Sequence, residues 1–281
     1  MISSRGSQSP SLDISGQRVE HDVARAFDAI AGSFDETLEN QITRRLREKI
    51  YAVIQSYVRP GSTLIDINCG TGIDALRLSE IGFRVTGIDI SAGMIEAAKK
   101  KVESSGHPAL DFVQGSYDRL DELSLPVADA VFSNFGGMNC TADLKRTARS
   151  IHSITKPGGY FFGVLMPPFA LWEFTSFVLR LRWKEAFRRF GVSTSATGFR
   201  GKTFPVYYYS PASLLRAFSS EFVFRRLIGL SIVSPTPQSM DFASRHPRLT
   251  AGLEQLDNVI EELPFVRAAG DHYFVVLQKR R

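Results

Sequence analysis

Between residues 63 and 166 the sequence alternates short, dense apolar runs with stretches of helical spacing. No other feature restricts the fold as much. The runs are T-L-I-D-I-N (63–68), R-V-T-G-I-D (84–89), L-D-F-V-Q-G (110–115), D-A-V-F-S-N (129–134) and Y-F-F-G-V-L-M (160–166). Strands this apolar have both faces buried, as in a parallel sheet covered by helices on either side. Ile73, Ala75 and Leu76 mark a helix over 72–81. Another starts after Ser91, a good N-cap, and reaches about Glu103 with Met94, Ile95, Ala98 and Val102 inward. A third, from about Ala142 to Thr155, leads to the turn K-P-G-G at 156–159.

The flanks are read from the same periodicities. Val23, Phe27, Ile30 and Phe34, then Ile42, Leu46, Ile50 and Ile54, predict a helical preface over 20–60 that ends at Pro60-Gly61. After Met166 the rhythm breaks, and 167–205 is expected to be an inserted cap. It holds a helix rich in aromatics and arginine, then a polar segment. Alternation returns with helices near 211–219 and 248–262 and strands at 222–230 and 272–279. Residues 1–19, Ser-rich at the start, are expected to fray, and 20–281 to form one domain. The apolar stretch 160–181 is interrupted by Pro167-Pro168 and Glu173, so it is not expected to span a membrane.

Charge and cysteines narrow the setting. The net charge of +5 permits an anionic partner without requiring one. Cys69 and Cys140 lack C-x-x-C partners, so neither a disulfide framework nor a zinc site is expected. The first residues lack an apolar secretory core, and the expected location is cytoplasmic.

The loop after the first strand, D-I-N-C-G-T-G-I-D-A (66–75), lies where open parallel sheets bind ligands. Its last six residues fit the dinucleotide fingerprint G-x-G-x-x-G/A, which makes an NAD-dependent oxidoreductase one reading. Asp66 argues against it, because a carboxylate at the mouth of the loop repels a pyrophosphate that wants backbone N–H groups. S-adenosylmethionine carries a sulfonium, an ammonium and a carboxylate but no phosphate, so there an acid is an asset. Asp89, ending the second strand, can accept ribose hydroxyls under either reading.

L-I-D-I-N-C-G-T-G (64–72) with V-T-G-I-D-I-S-A-G-M-I (85–95) resembles the signature of class I S-adenosylmethionine-dependent methyltransferases of the small-molecule type. The resemblance continues through V-Q-G-S-Y (113–117), D-A-V-F-S-N (129–134) and I-T-K-P-G-G, and A-F-D-A-I-A-G-S-F-D resembles the family's opening helix. It covers most of 20–165. It implies a Rossmann-like sheet of seven mostly parallel strands, the last antiparallel, with S-adenosylmethionine touching Asp66, Asn68, Cys69, Gly70, Thr71, Gly72, Asp89, Ile90, Met94, Ser116, Tyr117 and Asn134. Two positions depart from the pattern. Asn68 replaces a glycine and is expected to adopt left-handed backbone angles, and Ser116 replaces an acid that commonly meets the adenine amino group.

Methyl transfer from a sulfonium needs position and dryness, and a base only if the acceptor must lose a proton. His272, in G-D-H-Y-F, resembles a D-H pair of related enzymes and is the candidate base; His21, His107, His152 and His246 fall in polar or outer stretches. Phe34, Phe135, Trp172, Tyr207 and Tyr208 are expected to wall an acceptor pocket, favouring a small, largely apolar molecule of lipid, polyketide or quinone type. No nucleic-acid partner is expected, since neither an RNA-binding module nor an N-P-P-Y motif is present. R-L-R-W-K-E-A-F-R-R (180–189), followed by Arg200, is a solvated face, or a contact for an anionic membrane surface or a phosphate-bearing substrate. A non-catalytic subunit of the same fold is the remaining alternative.

Overall fold

The structure, a computed structural model, describes residues 14–105, 110–190, 194–199 and 201–281. Most of the predicted fraying segment, together with His107, Pro108 and Arg200, lies outside the described residues. Three helices open the chain, α1 (Ile14–Asp28), α2 (Phe34–Leu38) and α3 (Gln41–Tyr57), so the first helix begins ahead of residue 20. Asn40 caps α3, its side chain accepting from the N–H groups of Ile42 and Thr43 while Thr43 returns the bond. Then come β1 (Thr63–Asp66), α4 (Ile73–Glu80), β2 (Arg84–Asp89), α5 (Ala92–Ser105), β3 (Leu110–Gln114), β4 (Ala128–Ser133), α6 (Leu144–Ile154) and β5 (Thr155–Leu165). K-P-G-G is drawn into the start of β5, with a register shift against β4 and Gly158 at φ 76°, instead of standing as a separate turn.

The cap is more divided than its periodicity indicates. It holds α7 (Leu171–Leu179), the short α8 (Trp183–Ala186) and a hairpin of β6 (Thr194–Phe199) and β7 (Lys202–Val206). Leu181, at φ 58°, breaks the helix between α7 and α8. After the cap come α9 (Pro211–Phe218), β8 (Phe222–Leu230), α10 (Met240–Arg245), α11 (Pro247–Ile260) and β9 (His272–Lys279).

Seven strands form one sheet in the order β3-β2-β1-β4-β5-β9-β8. β1 to β5 are mutually parallel, and β9 runs antiparallel between β5 and β8. Side-chain alternation splits the core in two: Leu64, Phe132, Phe162 and Phe274 face α3, α4 and α5, while Ile65, Val131, Phe161 and Tyr273 face α6 and α9. A smaller cluster joins Val23 and Ala26 of α1 to Cys140, Phe204 and Val206, so β7 of the cap packs on the preface. The strand order reverses between β1 and β4, and the carboxyl ends there open under this pair of lids.

Candidate functional site

The glycine loop turns on Gly70 (φ 53°) and Gly72 (φ 79°). Gly70 is required by its backbone and Gly72 by space as well, since a Cβ there would meet Phe112 at 3.0 Å and Ala98 at 3.1 Å. Asn68 does not adopt the expected left-handed angles, because the two glycines already make the turn. Its side chain works instead: Nδ2 donates to the carbonyl of Asn134 at 2.9 Å, tying the loop after β1 to the loop after β4. Asp89 accepts from the N–H groups of Gly70 and Ser91, each at 2.9 Å. Burial pushes its carboxyl up to about 6 against those hydrogen bonds.

Below the loop lies a buried charged floor. Both oxygens of Asp66 are buried without a hydrogen-bond partner, and burial and Asp74 push its pKa well above the carboxylate range. Asp74 accepts from Tyr51 at 2.5 Å and Asn134 at 3.0 Å and pairs with Arg47 at 3.1 Å. Arg47, from α3, also lies 5.1 Å from the Phe135 ring centre. Burial acts to lower its pKa, but Asp74, Tyr51, Glu39 and Asp66 together outweigh that and hold it above its ordinary value. Asp74 and Asp89 outnumber Arg47, which suits a ligand bearing positive charge and opposes a pyrophosphate. The unpartnered carboxylate of Asp66 is what an ammonium would satisfy.

Two cavities share a wall here. One, of about 140 Å³, is lined by Asn68, Cys69, Gly70, Thr71, Asp89, Ile90, Tyr117 and Asn134, with Phe27 and Phe34 across from them. The other, of about 550 Å³, shares Phe27, Phe34, Arg47, Phe135, Gly136 and Cys140 and continues to Met166, Arg188, Phe204, Tyr208, Gln238 and His272. Phe135 stands between them at φ 37°, a strained angle for an aromatic residue, with its ring edge-on to His272 at 5.6 Å.

Several expected contacts fall elsewhere. Met94 is fully buried under α5 and lines neither cavity, because the helix turns it into the core. Gly72 sits behind the loop, and Asp66 lies at its floor without forming a wall. Ser116 is turned away, donating to Glu20 of α1 at 2.9 Å; Glu20 in turn pairs with Arg119 at 2.7 Å. Trp172 packs edge-on to Phe242 and donates to Ser239 at 3.0 Å, so it belongs to the packing between α7 and α10. Tyr207 stacks on Tyr209 and is absent from the cavity wall, whereas Tyr208 lines it. His21, His152 and His246 line neither cavity.

The preface is latched over the site by its own carboxylates. Asp28 accepts from Ser91 Oγ at 2.6 Å and Gly93 N at 2.9 Å, and Asp35 accepts from Thr71 Oγ1 and pairs with Lys101 at 2.5 Å. Sequence reasoning missed these latches as well as Arg47 and Asp74. Polar residues on a helix carry no mark of the partner they will meet, although Asp74, beside the apolar Ala75 in the first turn of α4, hinted at burial.

On the far wall His272 Nδ1 lies 3.0 Å from Asp271 Oδ2, and Asp271 Oδ1 accepts from Arg189 at 2.6 Å. Burial would raise the Asp271 carboxyl, but His272 and Arg189 outweigh it and hold it well below the usual range. A carboxylate on Nδ1 fixes the tautomer and leaves Nε2 to accept a proton.

This fold and charged loop define a class I S-adenosylmethionine-dependent methyltransferase, and its cofactor is S-adenosylmethionine. Residues 64–159 match the methyltransferase domain family. The chain is 29% identical over 206 residues to a demethylmenaquinone methyltransferase of Symbiobacterium thermophilum, covering 70% of this chain and 79% of that one. It is 32% identical over 139 residues to a malonyl-[acyl-carrier protein] O-methyltransferase of Serratia marcescens, covering 49% of each. Among solved structures, the [4+2]-cyclase SpnF superposes with a TM-score of 0.61 at 16% identity, over 93% of this chain and 97% of that one. That likeness concerns the fold alone. Both curated relatives are named as methyltransferases.

Proposed function

We propose that the protein methylates a hydroxyl oxygen of a small, largely apolar acceptor of lipid, polyketide or quinone type. The observation that carries this reading is His272, held by Asp271, on the wall of an apolar 550 Å³ chamber beside the cofactor loop. S-adenosylmethionine supplies an activated methyl group on a sulfonium. Asp66 and the glycine loop would hold its methionine part, and Asp89 its ribose. Phe27, Phe34 and Phe135 exclude water between the cavities and present ring faces to positive charge. His272 takes the hydroxyl proton at Nε2, and Asp271 stabilises the imidazolium that results. The name of a relative acting on demethylmenaquinone supports an apolar acceptor.

The test is incubation of the purified protein with methyl-labelled S-adenosylmethionine and a cell extract, followed by mass analysis of labelled products. A labelled methyl ether in an organic-soluble product is expected. Label on nitrogen or on protein alone would sink the reading.

A further inference from the structure

We propose that residues 179–190 of the cap form a bilayer-docking arm whose occupant is an anionic lipid surface. α7 ends at Leu179, and the left-handed Leu181 throws the chain outward before α8. Leu179 is 84% exposed, Leu181 75%, Trp183 54%, Phe187 53% and Phe190 56%. Five large apolar side chains at these exposures within one short segment, with Phe187 and Phe190 in ring contact at 5.5 Å, are unusual for a surface without a partner. Trp183 is the residue type favoured at a membrane–water interface.

Charge selects the partner. Arg180, Arg182 and Lys184 are interleaved with these apolar residues, and Glu185 is paired with Arg182 at 2.8 Å. Arg180 and Lys184 form no ion pair among the described residues, so their charge faces outward. Arg188 and Arg189 do a different job. Each binds Glu173 at 2.7 Å, and Arg189 also reaches Asp271, fastening the base of the arm to the wall that carries His272. Apolar side chains among unpaired cations match an anionic interface. Elsewhere Val259 is 76% and Phe265 94% exposed, on a segment whose glutamates, Glu254, Glu261 and Glu262, are already paired with Arg45, Lys49 and Arg226.

The arm is also positioned to matter for the acceptor. Arg188 lines the 550 Å³ chamber, so a docked arm brings the chamber to the lipid surface and makes the acceptor an amphiphile resident in the bilayer. That last step rests on the proposed methyl transfer; the docking itself does not.

The experiment is co-sedimentation of the full, cofactor-free chain with phosphatidylcholine vesicles, with and without phosphatidylglycerol. Wild type is expected to pellet with the anionic vesicles and to be released by salt. Arg180→Glu/Lys184→Glu and Leu181→Asp/Trp183→Asp are each expected to lower partitioning about tenfold or more, while Val259→Asp/Phe265→Asp leaves it unchanged. In a Trp172→Phe background, Trp183 fluorescence should shift to the blue on binding. All these side chains except Trp172 are exposed, and thermal midpoints check that each variant is folded. The proposal is overturned if wild type stays in solution, or if the arm variants pellet as well as wild type. It is also overturned if light scattering shows a dimer that Leu181→Asp dissolves, since the arm is then an interface between copies. Titration of S-adenosylmethionine into the same proteins separates the two readings. Vesicle binding without cofactor binding retires the methyl-transfer function and leaves the arm, and the reverse result does the opposite.

Discussion

Asn68 and Asn134 bind the first and fourth strand ends together, side-chain Nδ2 to backbone carbonyl at 2.9 Å. The bond is possible because Gly137 has no side chain: a Cβ there would come within 2.1 Å of that same Nδ2. Gly137→Ala is therefore expected to destabilise the protein by about 1–3 kcal/mol through overpacking. In an Asn68→Gly background the clash disappears, and Gly137→Ala should then cost much less. A double-mutant cycle from urea unfolding measures the coupling, and additive effects would show that the two residues do not meet.

Asp89 should give cofactor binding a pH dependence. Its free-state carboxyl is pushed up to about 6, and ribose hydroxyls prefer the ionised form as acceptor. Below that pH the proton must leave before binding, so the S-adenosylmethionine Kd should rise by up to about tenfold per pH unit. Asp66, pushed up by burial and Asp74, adds dependence in the same direction. Asp89→Asn should weaken binding and remove the part centred near 6. Calorimetric titration across pH 5 to 8 (roughly the window set by these groups) checks it.

The Arg189–Asp271 pair is almost fully buried and 2.6 Å long. Removing one partner leaves the other's charge stranded, so Arg189→Met is expected to cost about 3–5 kcal/mol at neutral pH. Asp271 is held below its unfolded value of about 3.9, so its contribution is complete above that pH and is lost as pH falls through the folded value. Asp271→Asn should accordingly flatten the acid limb of the stability curve, which chemical denaturation at several pH values will show.

His272→Asn preserves size and a hydrogen bond but removes the base. The expected result is a kcat about 10² to 10⁴ lower with an unchanged S-adenosylmethionine Kd. A change in Kd with intact kcat would make His272 a structural residue of the wall. Asp271→Asn should reproduce part of the rate loss by releasing the imidazole tautomer.

The central fold was legible because its pattern is local. Dense apolar runs placed β2, β8 and β9 at the bounds observed, and the loop after β1 carries its turn glycines in sequence. Loop residues such as Gly70, Thr71 and Ile90 were legible for the same reason, as strand ends fix where their neighbours stand. Trp172 and Tyr207 were not. An aromatic or apolar side chain packs equally well toward a cavity or toward another helix, and only the helix's rotation decides which.

The sequence by itself determined the parallel sheet and an acidic glycine loop suited to a sulfonium cofactor, because strand and turn chemistry act over a few neighbouring residues. Tertiary structure alone decided that Arg47 shares the floor with Asp66 and Asp74, that Glu20, Asp28 and Asp35 latch the preface, and that Arg189 anchors the cap to Asp271. These contacts join distant segments, and their energy depends on burial and mutual distance, quantities that exist only once the chain has folded.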